Sequence, residues 1–172
     1  MNKKLNVIDI MREVVKMASE DYLERHNGLS PVKFIVDNFF AVGRELSERS
    51  KSAIGAQNKY PAIILFTDNL IERYETLKQW QIEATMHIVI VADAASGNGD
   101  AKRETVYQFV LYPIFKSFID AINRHPQIFT NGDALRIDKS DKPNITVFAD
   151  KLDGIELKNL KLKFYDKVCL KL

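Results

Sequence analysis

"WQIEATMHIVIVAD", residues 80–93, alternates too regularly to be a helix. Ile82, Ala84, Met86, Ile88 and Ile90 share one side of a period-two pattern. Glu83, Thr85 and His87 take the other side, which turns apolar at Val89 and Val91. Just upstream, "YPAIILF" (60–66) is a continuous apolar run opened by a proline. It reads as a buried strand whose first residue needs no backbone donor. The linker "TDNLIERYETLKQ" (67–79) allows an antiparallel pair, with a helical turn at Leu70, Tyr74 and Leu77 as an option.

The remaining elements are read around this pair. A helix is expected over 6–25, where Ile10, Val14, Met17 and Ala18 recur at helical spacing beside Val7 and Met11. Asn6 is its N-cap, Asp9 its acidic first turn, and His26-Asn27-Gly28 its stop signal. A long helix is expected from about Ala101 to Arg124. Its wide apolar face holds Val106, Phe109, Val110, Phe115, Phe118, Ile119 and Ile122. Pro113 should kink it by removing one backbone bond and crowding the carbonyl of Phe109. Two readings stay open for the segment after Gly28. Ser30-Pro31 could open a helix with Phe34, Ile35, Phe39, Val42 and Leu46 near one face. Alternatively, "VKFIV" is a short strand ended by Asp37-Asn38, which its β-branched and aromatic content favours. Residues 48–59 read as a polar loop.

The chain closes with a short strand at "NITVFA" and a basic one over 155–172. In that last strand Leu160, Leu162, Phe164, Val168, Leu170 and Leu172 share one parity, while Ile155 and Leu157 have the other. A bulge or bend near Lys158-Asn159 is therefore expected. The fold expected for 1–172 is therefore a single α+β domain. A mixed, mostly antiparallel sheet of about four to five strands is packed by a long kinked helix and an N-terminal helix.

Composition narrows the function. A chain of 172 residues, 46% hydrophobic and 28% charged, suits one soluble domain. A net charge of +2 does not by itself imply a nucleic-acid partner. The single cysteine, Cys169, cannot form an internal disulfide, which suits a reducing compartment. Charges at Asp9, Arg12, Glu13 and Lys16 break any signal-peptide core, and no apolar run approaches the roughly 20 residues of a membrane helix. A soluble protein made inside the cell, with no membrane partner, is expected.

Chemical motifs are sparse. "VADAASGNGDAKRE" (91–104) runs from strand to helix through two glycines, the order of a phosphate cradle. A P-loop needs G-x-x-x-x-G-K-[ST], yet Gly97 and Gly99 are two apart and Lys102 is followed by Arg103. A dinucleotide fingerprint needs glycine where Lys102 stands, within a parallel unit. Asp93 and Asp100 would repel an anion. No cofactor is expected. His26, His87 and His125 have no metal-site spacing, and neither Cys169 nor any serine lies in a nucleophile signature. Asp68, Glu72 and Glu75 would gather only on a helical linker. The chain is not expected to be an enzyme. Lys158, Lys161, Lys163, Lys167 and Lys171 line the polar side of the last strand. They read as a solvated guard against aggregation, or alternatively as contacts for DNA or an acidic partner, with Tyr165 the one aromatic among them.

The order of elements, the "YP" strand start and the "IVIVAD…RE" strand-to-helix passage resemble the tail-terminator and neck (head-tail joining) proteins of tailed bacteriophages. The resemblance spans about residues 5 to 165. The extended segment 29–59 and the lysine-rich end depart from it. It implies a structural virion protein, located in the virion and in the host cytoplasm during assembly. Such a protein closes on itself as a ring, expected to be a hexamer, and meets other tail or neck proteins. Function would then lie in interfaces, and the expected contacts are Arg44, Glu45, Arg49, Asp93, Asn98, Asp100, Lys102 and Arg103. Lys161, Lys163, Lys167 and Lys171 could face acidic neighbours or DNA in the channel. A small nucleic-acid-binding protein using the same lysines is the alternative.

Overall fold

The computed structural model describes residues 6–38, 61–75, 78–93, 104–129, 144–149 and 152–165. The chain is α+β, with a mixed six-stranded sheet among the described residues. Helix α1 spans Val7–Arg25 and is followed by β1 (Lys33–Asp37), β2 (Ala62–Glu75) and β3 (Lys78–Asp93). A π-helical turn, Tyr107–Leu111, leads into α2 (Tyr112–Arg124); then come β4 (Ile128–Phe129), β5 (Asn144–Ala149) and β6 (Leu152–Tyr165). The strand order is β1-β2-β3-β6-β4, with β5 also paired to β6. β1 runs parallel to β2 and every other pair is antiparallel.

Both ends of α1 follow from local chemistry. The Asn6 side chain accepts from the backbone N–H groups of Ile8, at 3.0 Å, and Asp9, satisfying donors that a first turn leaves open. At the far end the Tyr22 carbonyl accepts from both His26 and Gly28. Asn27 takes a left-handed conformation with φ 52°, which its short polar side chain tolerates. Gly28 is required by proximity, because a β-carbon there would overlap the Tyr22 ring.

One face of the sheet carries the helices. Ile63 and Leu65 of β2, the five alternating residues of β3, and Ile155, Leu157, Leu160, Leu162 and Phe164 of β6 are buried in one cluster with α1 and α2. Two sets of opposite parity reach the same face because Met86 pairs Leu160 while Ile88 pairs Leu157. Lys158 and Asn159 thus oppose His87 alone, the bulge expected from the parity break.

The helices are tied together by buried polar groups as well as apolar ones. The Asp21 carboxylate accepts from Ser117 Oγ at 2.9 Å and lies 2.9 Å from Arg25 Nε and 3.6 Å from Arg124. His125 caps α2; its Nδ1 accepts from the Gln127 N–H, so Nε2 carries the proton toward Glu13 Oε2, 3.0 Å away. Ser19 Oγ accepts from the Val32 N–H at 2.8 Å and holds the approach to β1 against α1.

Two expectations need correction. Residues 67–75 are strand, not linker or helical turn: β2 continues to Glu75, which pairs with Lys78 of β3, with irregular pairing between Phe66 and Ile71. Asp68, Glu72 and Glu75 are therefore spread along an extended chain and not gathered as acids. Phe109 does not share the apolar face and is 67% exposed. It stands nine residues from Phe118, about 180° away at helical spacing, while Leu111, Ile114, Phe118, Ala121 and Ile122 form the buried stripe. The disturbance at Pro113 takes the form of a π turn: Tyr112 N–H bonds Tyr107 O, one residue beyond α spacing. Beyond these, β1 settles the open choice at 33–37 in favour of strand. The extra two-residue β4 brings the strand count to six.

Candidate interaction surface

The second face of the sheet divides in two. At one end Ala62, Ile64, Phe66, Val89 and Val91 are buried, although none belongs to the helix-packed cluster. At the other end the side chains are mostly polar or aromatic and partly or fully exposed, except Gln81, which is buried. Register fixes the rows of this open half: Ile71, Thr85 and Lys161 stand side by side across β2, β3 and β6. Arg73, Glu83, Lys163 and Phe129 form the next row, which reaches β4. Gln81 and Tyr165 form a third.

A polar pair marks the boundary. His87 Nε2 lies 2.7 Å from Glu156 Oε1, with the two side chains only 10% and 11% exposed. The Phe66 ring packs against His87 with centroids 4.7 Å apart, and Lys158 Nζ lies 4.0 Å from the other Glu156 oxygen. Burying a carboxylate is costly without a donor, and His87 supplies one from the adjacent strand. The bulge beside His87 brings Lys158 close on the solvent side.

The open half holds three cations, Arg73, Lys161 and Lys163, against the one carboxylate of Glu83 among its described residues. Arg73 and Lys161 are exposed, and Lys163 and Glu83 partly so. Beside them Phe129 is 50% exposed and meets Tyr165 edge to face, with centroids 5.7 Å apart and planes at 76°. The backbone under this pair is fastened. Tyr165 N–H donates to Gln127 O at 2.8 Å, and Gln127 Nε2 donates back to Tyr165 O at 3.0 Å. Chemically this is a sheet surface of positive charge with an aromatic corner, suited to a polyanion.

Of the residues expected from sequence, Lys161 and Lys163 stand on this surface, directly opposite Thr85 and Glu83. Asp93 closes β3 opposite Leu152, away from it. Arg44, Glu45, Arg49, Asn98, Asp100, Lys102, Arg103, Lys167 and Lys171 lie outside the described residues. The nucleotide reading of 91–104 loses its context, because the strands leading into it form an antiparallel hairpin. Arg73 and Phe129 were missed. Arg73 sits where the sequence reads as linker, and a two-residue strand is too short to display any period. The signal within reach was the bulge: once Lys161 and Lys163 face away from the core, their cross-strand neighbours belong to the same surface.

Among the described residues no three His, Cys, Asp or Glu side chains gather as a metal site, and no helix is long and apolar enough to cross a membrane. Compared with known proteins, the chain matches no family model and no curated relative.

Proposed function

We propose that the protein is a structural, ring-forming component of the tail-terminator or neck kind, acting through its surfaces rather than a catalytic pocket. The observation that carries this reading is the exposed aromatic surface at the start of the long helix. Phe109 and Tyr112 stand 67% and 49% exposed on and beside the π turn, a few residues after the segment 93–104 expected to touch a neighbour. Large aromatics left open together are uncommon on a monomer and mark sites of association. Head-to-tail contacts between such a surface and a different patch on the next copy close into rings. The element order supports the same reading.

Light scattering coupled to size exclusion, over a wide range of concentration, tests it. One constant mass several times that of the chain is expected, and Phe109→Ser should shift it toward the single chain. A wild-type protein that stays monomeric throughout would sink the proposal. A second reading, a small nucleic-acid-binding protein, is favoured by one specific feature: Phe129 joins Tyr165 beside Lys161 and Lys163.

A further inference from the structure

We infer that the open half of the sheet's second face binds single-stranded nucleic acid, with phosphates on Arg73, Lys161 and Lys163 and a base against the Phe129–Tyr165 corner. The inference rests on the second reading above, that this face meets a polyanion, and is independent of ring formation. It specifies which polyanion.

Charge alone would suit single-stranded or duplex nucleic acid, so the decision falls to shape. From Arg73 on β2 to Phe129 on β4 the row crosses three strand intervals, about 14 Å at about 4.8 Å each. The major groove of B-DNA is only about 12 Å wide, so this row cannot enter it edge-on. A duplex could rest on the lysines through its phosphates, but its stacked bases would offer nothing to the aromatic corner. A single strand presents both groups at once. Its bases are free to lie against Phe129 or Tyr165 while its backbone follows the cations. Lys161 and Lys163 lie on the same side of β6, about 6.8 Å apart, so consecutive charges along the strand act on one chain of phosphates. The paired hydrogen bonds between Gln127 and Tyr165 hold the corner before any ligand arrives, which lowers the entropy lost on binding. Glu83, between Arg73 and Lys163, opposes the ligand and sets the affinity below what three cations would give.

The test is fluorescence anisotropy with the full chain, a labelled oligothymidine of about 12 nucleotides, and a duplex of the same length. The single strand is expected to bind more tightly than the duplex. Phe129→Ser, at an exposed position, should weaken the single strand about tenfold and leave the duplex unchanged. Lys161→Ala with Lys163→Ala should weaken both and flatten the salt dependence for the single strand by about 1.4, two contacts at about 0.7 each. Glu83→Gln should tighten both. Equal or tighter duplex binding, binding of neither, or a single-strand affinity indifferent to Phe129→Ser with the thermal melt intact would each overturn the inference. Light scattering on the same samples reads the ring separately. A monomer that binds the oligonucleotide upholds this inference and refutes the ring, whereas a ring that ignores it does the reverse.

Discussion

Tyr22 shows how one side chain can carry several constraints. Its carbonyl closes α1, its ring occupies the space that forces glycine at position 28, and its side chain is buried in the helix-packed cluster. Burial opposes ionisation, so the Tyr22 phenol is held above its ordinary value. The sign of the pH effect follows. A group with a raised folded-state value contributes stability that is fully present below the unfolded value, about pH 10 for tyrosine. That contribution is lost as pH rises through the folded-state value, because the unfolded chain releases its proton first. Urea unfolding followed across the alkaline range should show wild-type stability falling more steeply than that of Tyr22→Phe. Identical slopes would mean that this phenol does not limit alkaline stability. Other groups titrate there too, so the difference between the two proteins is the quantity that counts.

At the scale of elements, legibility depended on length and on chemistry that acts locally. The cap at Asn6, the stop at His26-Asn27-Gly28 and the alternation of β3 are effects of neighbours in the chain, and each is present in the fold. The second half of β2 was not legible, because Asp68, Asn69, Glu72 and Arg73 give it a polar run whose strand character comes from pairing with β3. β4 was invisible for a similar reason: two residues become strand only when β6 is already there. On the candidate surface the lysines were legible from parity, whereas Arg73 and Phe129 needed the tertiary register. The bulge at Lys158-Asn159 is the joint between these cases. With Lys158 and Asn159 both deleted and the upstream register kept, Leu160, Leu162 and Phe164 would turn to the open face and Lys161 and Lys163 into the core, whereas loss of Asn159 alone would only restore unbroken alternation. Exposing three such side chains forfeits roughly 5–9 kcal/mol, comparable to the whole stability of a domain. The double deletion should therefore abolish the cooperative thermal transition seen by circular dichroism, while Asn159→Ala should melt within a few degrees of wild type. A double-deletion variant that melts normally would show that the strand can slip without penalty.

At the scale of the whole molecule, β3 organises everything else. It is paired along nearly its full length to β2 on one side and β6 on the other, and both of its faces are buried from Met86 to Val91. β1 and β4 each join the sheet through a single partner, and β4 contributes two residues. Local opening costs little where a strand can peel away from one neighbour, and approaches the global unfolding free energy where both neighbours must separate. Amide hydrogen exchange under native conditions should therefore be slowest between Met86 and Val91 and through the buried stripe of α1. Phe34 to Val36 should exchange faster, and Phe129 faster still. Adding the oligothymidine should slow Phe129 and the end of β6 while leaving the Met86–Val91 amides at their global limit, because the ligand meets only the open half of the second face. If Phe129 were already as protected as β3 in the free protein, the aromatic corner would belong to the core, and the division of that face into a buried half and an open half would be wrong.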